Sequence, residues 1–477
     1  MSSEQGHAEI GLIGLGVMGS SLALNIAEKG FKIAVYNIAA EKTEAFITQA
    51  GSLAANIIPC QKIEDLVHAI RPPRPVILMV TAGEAVDSLI AKLRPVLSEQ
   101  DIIIDAGNAN YHDTRRRFAE LKDSGLTFIG MGVSGGEEGA RHGPSIMVGG
   151  TEQSYIRIKD ILSAIAARYK GEPCSAYMGT DGAGHFVKMI HNGIEYGDMQ
   201  MIAEIYGIMR DGMNMTAPQI GKVFEKWNDG RLNSYLVEIT ASILGITDPV
   251  TNKPIVESIL DKAGQKGTGK WSAIAAQTLG VPSTVVESAV AARALSALKA
   301  ERIEMNGLYK GVDHPAFSAD PDMFRLLELA LFAGKINAYA QGFAVLSEAA
   351  KNYNWSLPMA EIARIWREGC IIRSQFLDII AEAFDREPNL SNILKAPNFV
   401  AAMKEALPAL RHVVSQAVLC GIPVPALSAA LGYFESFRNE QGTANIIQAQ
   451  RDFFGAHGFE RIGEEGIFHG PWGNTSL

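Results

Sequence analysis

Five polar residues in one short stretch carry most of the chemistry open to this chain: Lys188, His191, Asn192, Glu195 and Tyr196. Read as a helix, they fall at i, i+3, i+4, i+7 and i+8, one stripe flanked by Val187, Met189, Ile190 and Ile194. A solvated amphipathic face is the commoner meaning of such spacing, but it is usually built from several Lys and Glu. His, Asn and Tyr on the stripe, with Gly193 among them at a helix cost of about 1 kcal/mol, favour a buried working face. Lys188 and Glu195 stand two turns apart, about 10 Å along the axis, and so can bracket a small molecule. A desolvated lysine loses its proton nearer neutrality and can then take one from a hydroxyl, while a carboxylic acid kept protonated can return one to carbon. His191 and Glu195 at i, i+4 suggest a metal pair, but no third ligand has a convincing spacing, so no metal is expected.

Three glycine-rich segments extend this chemistry. Gly14, Gly16 and Gly19 complete a G-x-G-x-x-G that follows a strand and opens a helix. The first glycine permits the turn, the second lets a pyrophosphate approach the backbone and the third lets helix pack on strand, so dinucleotide binding is expected. At the end of the second strand, where an acid usually meets an NAD ribose or an Arg meets a 2′-phosphate, the chain has Asn37, Ile38 and Ala39. Asn37 can bond a ribose hydroxyl; Ile38 and Ala39 offer no charge. Residues 132–139 supply free N–H groups and Ser134, either an anion nest or a plain turn. Residues 264–271 nearly match the phosphate loop of nucleotide hydrolases. Trp271 replaces the magnesium-binding Ser or Thr, however, and the preceding 255–263 reads as helix rather than strand. Lys266 and Thr268 fit better as contacts to a substrate phosphate.

The elements that must position these groups fall into three parts. Strands read at 9–13, 32–36, 75–80, 101–105 and 127–131, with helical patterns such as 18–29 and 84–97 between them. The expected fold is therefore an α/β Rossmann domain with a mostly parallel, doubly wound sheet over residues 1–180. Long helical periods at 184–209, 283–301, 323–353 and 399–419 predict a large all-α substrate and dimerisation domain over 181–441, with no clear internal repeat. From 442 to 477 the chain is rich in Gly and aromatics and reads as an irregular tail that needs something to pack on. With 477 residues, 47% of them hydrophobic, a large core is expected, and a net charge of −9 speaks against grip on nucleic acid or an anionic membrane. The polar start predicts no secretory leader, and no uncharged apolar run reaches the roughly 18 residues a span needs. The four scattered cysteines show no paired spacing, and a cytoplasmic setting is expected.

Taken together, three strings resemble the long, homodimeric type of 6-phosphogluconate dehydrogenase: 188–200, reading KMIHNGIEYGDMQ; 264–271; and 447–457, reading IQAQRDFFGAH. The resemblance runs through essentially the whole chain. It implies oxidative decarboxylation of 6-phosphogluconate to ribulose 5-phosphate and CO2 with reduction of NADP or NAD, in the oxidative pentose phosphate route. Lys188 would take the proton of the C3 hydroxyl and Glu195 would protonate C1 after CO2 leaves. The cofactor would lie along Gly14, Leu15, Gly16, Val17, Met18, Gly19, Asn37, Val80, Thr81, Ala82 and Asn108. Asn108, Ser134, Gly135, Gly136, His191 and Asn192 would hold the sugar acid, and Tyr196, Lys266, Thr268 and Arg293 its phosphate. Arg451 and His457 would complete the partner subunit's site, which gives the tail its purpose.

The chain also departs from the family pattern. Ile38 and Ala39 stand where NADP-dependent members have Arg and Ser or Thr, and Thr81 stands where they have Lys, so relaxed or NAD-leaning selectivity is expected. Ala106 and Val148 replace the usual Gly and Pro and affect local loop geometry. Three other readings compete: a β-hydroxyacid dehydrogenase acting on a different small acid, a non-catalytic dinucleotide sensor, and a nucleotide hydrolase. Arg293, Lys266 and the tail oppose the first, the Lys188 and Glu195 pair opposes the second, and the failed phosphate loop opposes the third.

Overall fold

The computed structural model describes residues 7–312, 314–317 and 322–472; the polar start and the Gly473–Asn474 end of the tail fall outside them. The first part alternates β1 (Ile10–Ile13), α1 (Val17–Glu28), β2 (Ile33–Tyr36), α2 (Ala40–Ala50), β3 (Ile57–Pro59), α3 (Ile63–Ala69), β4 (Pro75–Leu78) and α4 (Glu84–Leu93). It continues with β5 (Ile102–Asp105), α5 (Tyr111–Lys122), β6 (Thr127–Val133), α6 (Gly136–His142), β7 (Ile146–Gly149) and α7 (Glu152–Ile165). A small hairpin, β8 (Arg168–Tyr169) with β9 (Glu172–Pro173), precedes β10 (Ser175–Gly179).

The sheet order is β10-β7-β6-β5-β4-β1-β2-β3. Its 3-2-1-4-5-6 core is that of a doubly wound dinucleotide fold, whose ligands bind beyond the carboxyl ends of the strands. All neighbours pair in parallel except β6 and β7. Successive strand residues serve opposite layers. Leu12, Val35, Ile77 and Ile104 join one buried cluster, and Ile13, Ala34, Leu78 and Ile103 the other. Both faces are therefore apolar, which is why these strands read as continuous hydrophobic runs. Strands β3, β7 and β10 were not anticipated, being short or mixed with Ser, Tyr and Gly.

Helices then take over: α8 (Ala183–Gly207), α9 (Ala217–Asn228), α10 (Tyr235–Gly245), a single turn α11 (Ile255–Ser258), α12 (Thr268–Thr278), α13 (Thr284–Ala297) and α14 (Lys299–Leu308). After them come α15 (Met323–Asn352), α16 (Met359–Ile365), α17 (Phe376–Arg386), α18 (Pro397–Leu419) and α19 (Pro425–Phe437). Two expectations are corrected here. The pattern over 283–301 breaks at Leu298 into α13 and α14, and 255–263 holds one helical turn rather than a helix. Among the described residues one helix, α15, is long and apolar enough to cross a membrane, and 89% of its most apolar window is buried inside the protein. Helix α15 packs on both α8 and α18.

By packing, the chain divides into a unit ending at Ala430 and a second running from Leu431. The second unit is more ordered than the irregular tail expected, holding α20 (Ala444–Gly455) and a hairpin of β11 (Phe459–Arg461) with β12 (Glu464–Phe468). Its organiser is Asp452, 3% exposed, whose carboxylate accepts from Gly458 N, Gly470 N and Trp472 Nε1 and lies 2.6 Å from His469 Nδ1. Local hydrogen bonds to one carboxylate leave no hydrophobic periodicity for a sequence reading to find.

Candidate active site

The glycine-rich turn is built as its spacing requires. Gly14 takes φ +105°, and a Cβ on Gly19 would overlap the Gly14 carbonyl, so strand and helix can meet only with glycine at both positions. No atom lies within 4 Å of where a Gly16 Cβ would stand, and no side chain caps α1, whose first N–H groups are left available. That cradle fits a dinucleotide pyrophosphate. Leu15 is buried beneath it, while Val17 is exposed and Met18 half-buried at its rim.

Asn37 is more engaged than expected. Its Oδ1 accepts from Leu15 N at 3.0 Å and its Nδ2 donates to Ala39 O at 3.2 Å, so the side chain braces the turn. Ile38 beside it is 75% exposed. Val80, Thr81 and Ala82 leave the end of β4, and the exposed Asn108 follows β5, on the loops where a doubly wound sheet presents ligands.

The polar stripe of α8 meets the loop after β6. Lys188 Nζ donates to Ser134 Oγ at 3.1 Å and to Asn192 Oδ1 at 2.8 Å, and lies 3.4 Å from His191 Nδ1. His191 Nε2 is 3.2 Å from Ser134 Oγ, and the ring packs edge-on against Trp366. Gly135 and Gly136 turn the loop with φ +98° and +64° into α6. The helix-weakening Gly193 is explained by packing, since a Cβ there would strike Ser272 of α12.

Burial sets the protonation of these groups. It lowers the Lys188 ammonium from its usual range, Glu195 and Cys370 opposing, and drives His191 well below its ordinary value, so the imidazole is neutral. Burial also raises the Glu195 carboxyl, with Lys188 and Arg293 opposing and Asp198 reinforcing. Glu195 Oε2 stands 3.8 Å from His191 Nδ1. A weakly basic amine and a reluctant acid thus share one helix face, the arrangement for moving protons near neutrality.

The next segment of the site is basic. The Arg293 guanidinium lies 3.5 Å from the Tyr196 ring centroid, and its Nη1 donates to Gly264 O at 3.1 Å. Thr268, buried, begins α12, whose Gly269 presses on the Tyr196 ring; Lys266 is exposed on the loop before it. In the C-terminal unit Arg451 is exposed and donates to Gln448 Oε1, and His457 is exposed beside Phe454.

Sequence reasoning passed over three neighbours. Asp198, one turn beyond Glu195, is paired with Lys335 of α15 deep in the helical core. Cys370 is fully buried within electrostatic reach of Lys188, its thiol pushed up to about 12 by burial. Arg117, third in a run of arginines, is 1% exposed. Only the first carried a signal, an acid on a helix already marked as buried.

A family model described as the NAD binding domain of 6-phosphogluconate dehydrogenase matches residues 9–179. A second, its C-terminal domain, matches 184–472. The chain belongs to the 6-phosphogluconate dehydrogenase family. It is 50% identical over 465 residues to the NADP(+)-dependent, decarboxylating 6-phosphogluconate dehydrogenase of Bacillus subtilis (strain 168), covering 97% of this chain and 99% of that one. To that organism's NAD(+)-dependent, decarboxylating enzyme it is 47% identical over 464 residues, with the same coverage. Plasmodium falciparum 6-phosphogluconate dehydrogenase, solved in its apo form and in complex with NADP+ and with 6-phosphogluconate, matches with a TM-score of 0.94. Identity to it is 42%, covering 97% of this chain and 100% of that one.

Proposed function

We propose that this chain oxidises and decarboxylates 6-phosphogluconate to ribulose 5-phosphate and CO2 with NAD or NADP, as a cytoplasmic homodimer. The observation that carries the reading is the buried cluster of Lys188 with Ser134, His191 and Asn192, in a chain of this family. Residues 1–180 hold the cofactor through Gly14–Gly19, Asn37, Val80–Ala82 and Asn108. A nicotinamide dinucleotide bound there supplies the hydride acceptor.

Burial keeps Lys188 neutral enough to take the C3 hydroxyl proton as the hydride leaves C3. Ser134 and Asn192, both within hydrogen-bond distance of the amine, aim it, and neutral His191 holds Ser134 in place. The C1–C2 bond then breaks, CO2 departs and the electron pair passes into the C3 carbonyl, giving an enediol. Glu195, whose carboxyl burial makes readier to hold a proton, delivers one to the carbon that lost CO2. Asn108, Gly135 and Gly136 fix the sugar acid, while Tyr196, Lys266, Thr268 and Arg293 hold the phosphate. The cation over an aromatic face fixes Arg293 before substrate arrives.

Residues 181–441 form the substrate and dimerisation domain, and 442–477 a tail that brings Arg451 and His457 to the partner subunit's site. Exposed Leu295, Leu298, Ile303, Met305, Leu308 and Tyr309 on α13, α14 and just beyond support an interface there, because apolar surface of that extent is rarely left to water. Replacing Lys188 by Met tests the assignment. Turnover is expected to vanish while NADH binding persists; ordinary turnover would refute the role.

A further inference from the structure

We propose that Arg117 is a positioning residue for hydride transfer, a buried clamp that fixes the two loops carrying Val80–Ala82 and Asn108. The inference rests on the proposed function, in which both loops hold the nicotinamide dinucleotide and Asn108 also meets the sugar acid.

Arg115, Arg116 and Arg117 follow one another on α5, yet only the third is buried, with 1% of its side chain exposed against 36% and 44%. Its guanidinium uses the whole fork. Nε and Nη2 donate to the two oxygens of Asp87 at 2.8 and 3.0 Å, Nη2 also donates to Gly83 O at 2.9 Å, and Nη1 donates to Asp105 Oδ2 at 3.2 Å.

Gly83 ends the loop leaving β4, and Asp87 lies in the first turn of α4 behind it. Asp105 ends β5, and its other oxygen accepts from Gly107 N at 3.1 Å, one residue before Asn108. One side chain therefore joins the loops leaving two adjacent strands, at the carboxyl edge where such sheets bind ligands.

The same helix also reaches the catalytic one. Thr114 Oγ1 lies 2.7 Å from Nδ1 of His185, which stands three residues before Lys188 on α8. Stability alone does not account for the arrangement, since a buried ion pair can often be exchanged for apolar side chains without loss. A planar fork that sets the relation of two ligand loops is a different matter, because no apolar side chain reproduces it. The Arg117 hydrogen bonds, opposed by partial burial and helped by those of Arg116, hold the Asp87 carboxyl down to about 2, so this arm of the clamp stays ionised near neutral pH.

Arg117→Lys keeps the charge opposite Asp105 but cannot span Gly83, Asp87 and Asp105 together. The expected result is a Kd for NADH and a KM for NAD(P) raised on the order of tenfold, with kcat lowered and the deuterium isotope effect on kcat increased for substrate labelled at C3. A lowered melting temperature with wild-type Kd, KM and isotope effect would make Arg117 merely structural and overturn the proposal. Should that variant fail to fold, Asp87→Asn decides. It weakens one arm of the clamp from a 39% exposed side chain and leaves the Asp105 pair intact. The same direction at about two- to fivefold supports the clamp, and unchanged values refute it. If the wild-type protein failed to oxidise 6-phosphogluconate, the function proposed above would fall, while the NADH Kd ratio would still decide the clamp.

Discussion

Removing one partner of the ion pair in the helical core gives a sharp test of how the catalytic helix is held. Lys335 Nζ stands 2.8 and 2.6 Å from the two carboxylate oxygens of Asp198 and 3.3 Å from Ser234 Oγ, and the two charged side chains are 0% and 1% exposed. Lys335→Met is close to isosteric, so the loss falls on the Asp198 carboxylate, buried without its counter-charge. Breaking such a pair typically costs about 3–5 kcal/mol. At roughly 2.1 cal/mol/K of unfolding entropy per residue, melting of the whole chain, or of the helical part alone, converts this to a fall of roughly 3–10 °C in Tm. Differential scanning fluorimetry reads that fall. The double variant Lys335→Met/Asp198→Leu is expected to recover most of it, since apolar replacement of both partners is often neutral. Because Asp198 is among the charges raising Glu195, the single variant is also expected to move the alkaline limb of the kcat/KM profile upward. A single variant melting within about 1 °C of wild type, or a double variant as damaged as the single, would refute this account of the pair.

The pH profile of the wild-type enzyme follows from the two burial effects. Lys188 acts as neutral amine, so its lowered pKa brings the acid limb down from the ordinary lysine range; Glu195 acts protonated, so its raised pKa carries the alkaline limb up from the ordinary carboxylate range. A bell centred near neutrality is expected in kcat/KM, and a rate still rising through pH 10 would contradict it. Cofactor selectivity tests the exposed Ile38. An Arg bonded to a phosphate is worth about 1.5–3 kcal/mol, one to two decades, so kinetics with both cofactors are expected to show dual or NAD-leaning use and Ile38→Arg to move preference toward NADP. A hundredfold NADP preference in the wild type would overturn that expectation.

The sequence made the Rossmann half legible because both sheet faces are covered and the strands are bare apolar runs. It was silent on β7, a run of only three apolar residues before Gly149, and on β10, where Ser175, Tyr177 and Gly179 break the run. The stripe from Lys188 to Tyr196 was readable through helical spacing, and its meeting with Ser134 required the fold, since the two lie 54 residues apart. Asn37 reads as a ribose contact by its place after β2, and the fold adds a task the sequence does not show, bracing the turn through Leu15 and Ala39. Arg117 was hidden for the opposite reason. A triplet of arginines reads as surface, and only the packing of α5 against β6, which turns the third toward Asp87, Gly83 and Asp105, buries it. The tail's order depends on Asp452 accepting bonds from groups 6 to 20 residues away, which leaves no period to detect.

The most direct test of the central claim is the stoichiometry of 6-phosphogluconate oxidation, with NADH or NADPH followed by absorbance while released CO2 is trapped and counted. One CO2 for each reduced cofactor is the expected result. Reduced cofactor without CO2, or turnover of unphosphorylated acids in preference to 6-phosphogluconate, would contradict it.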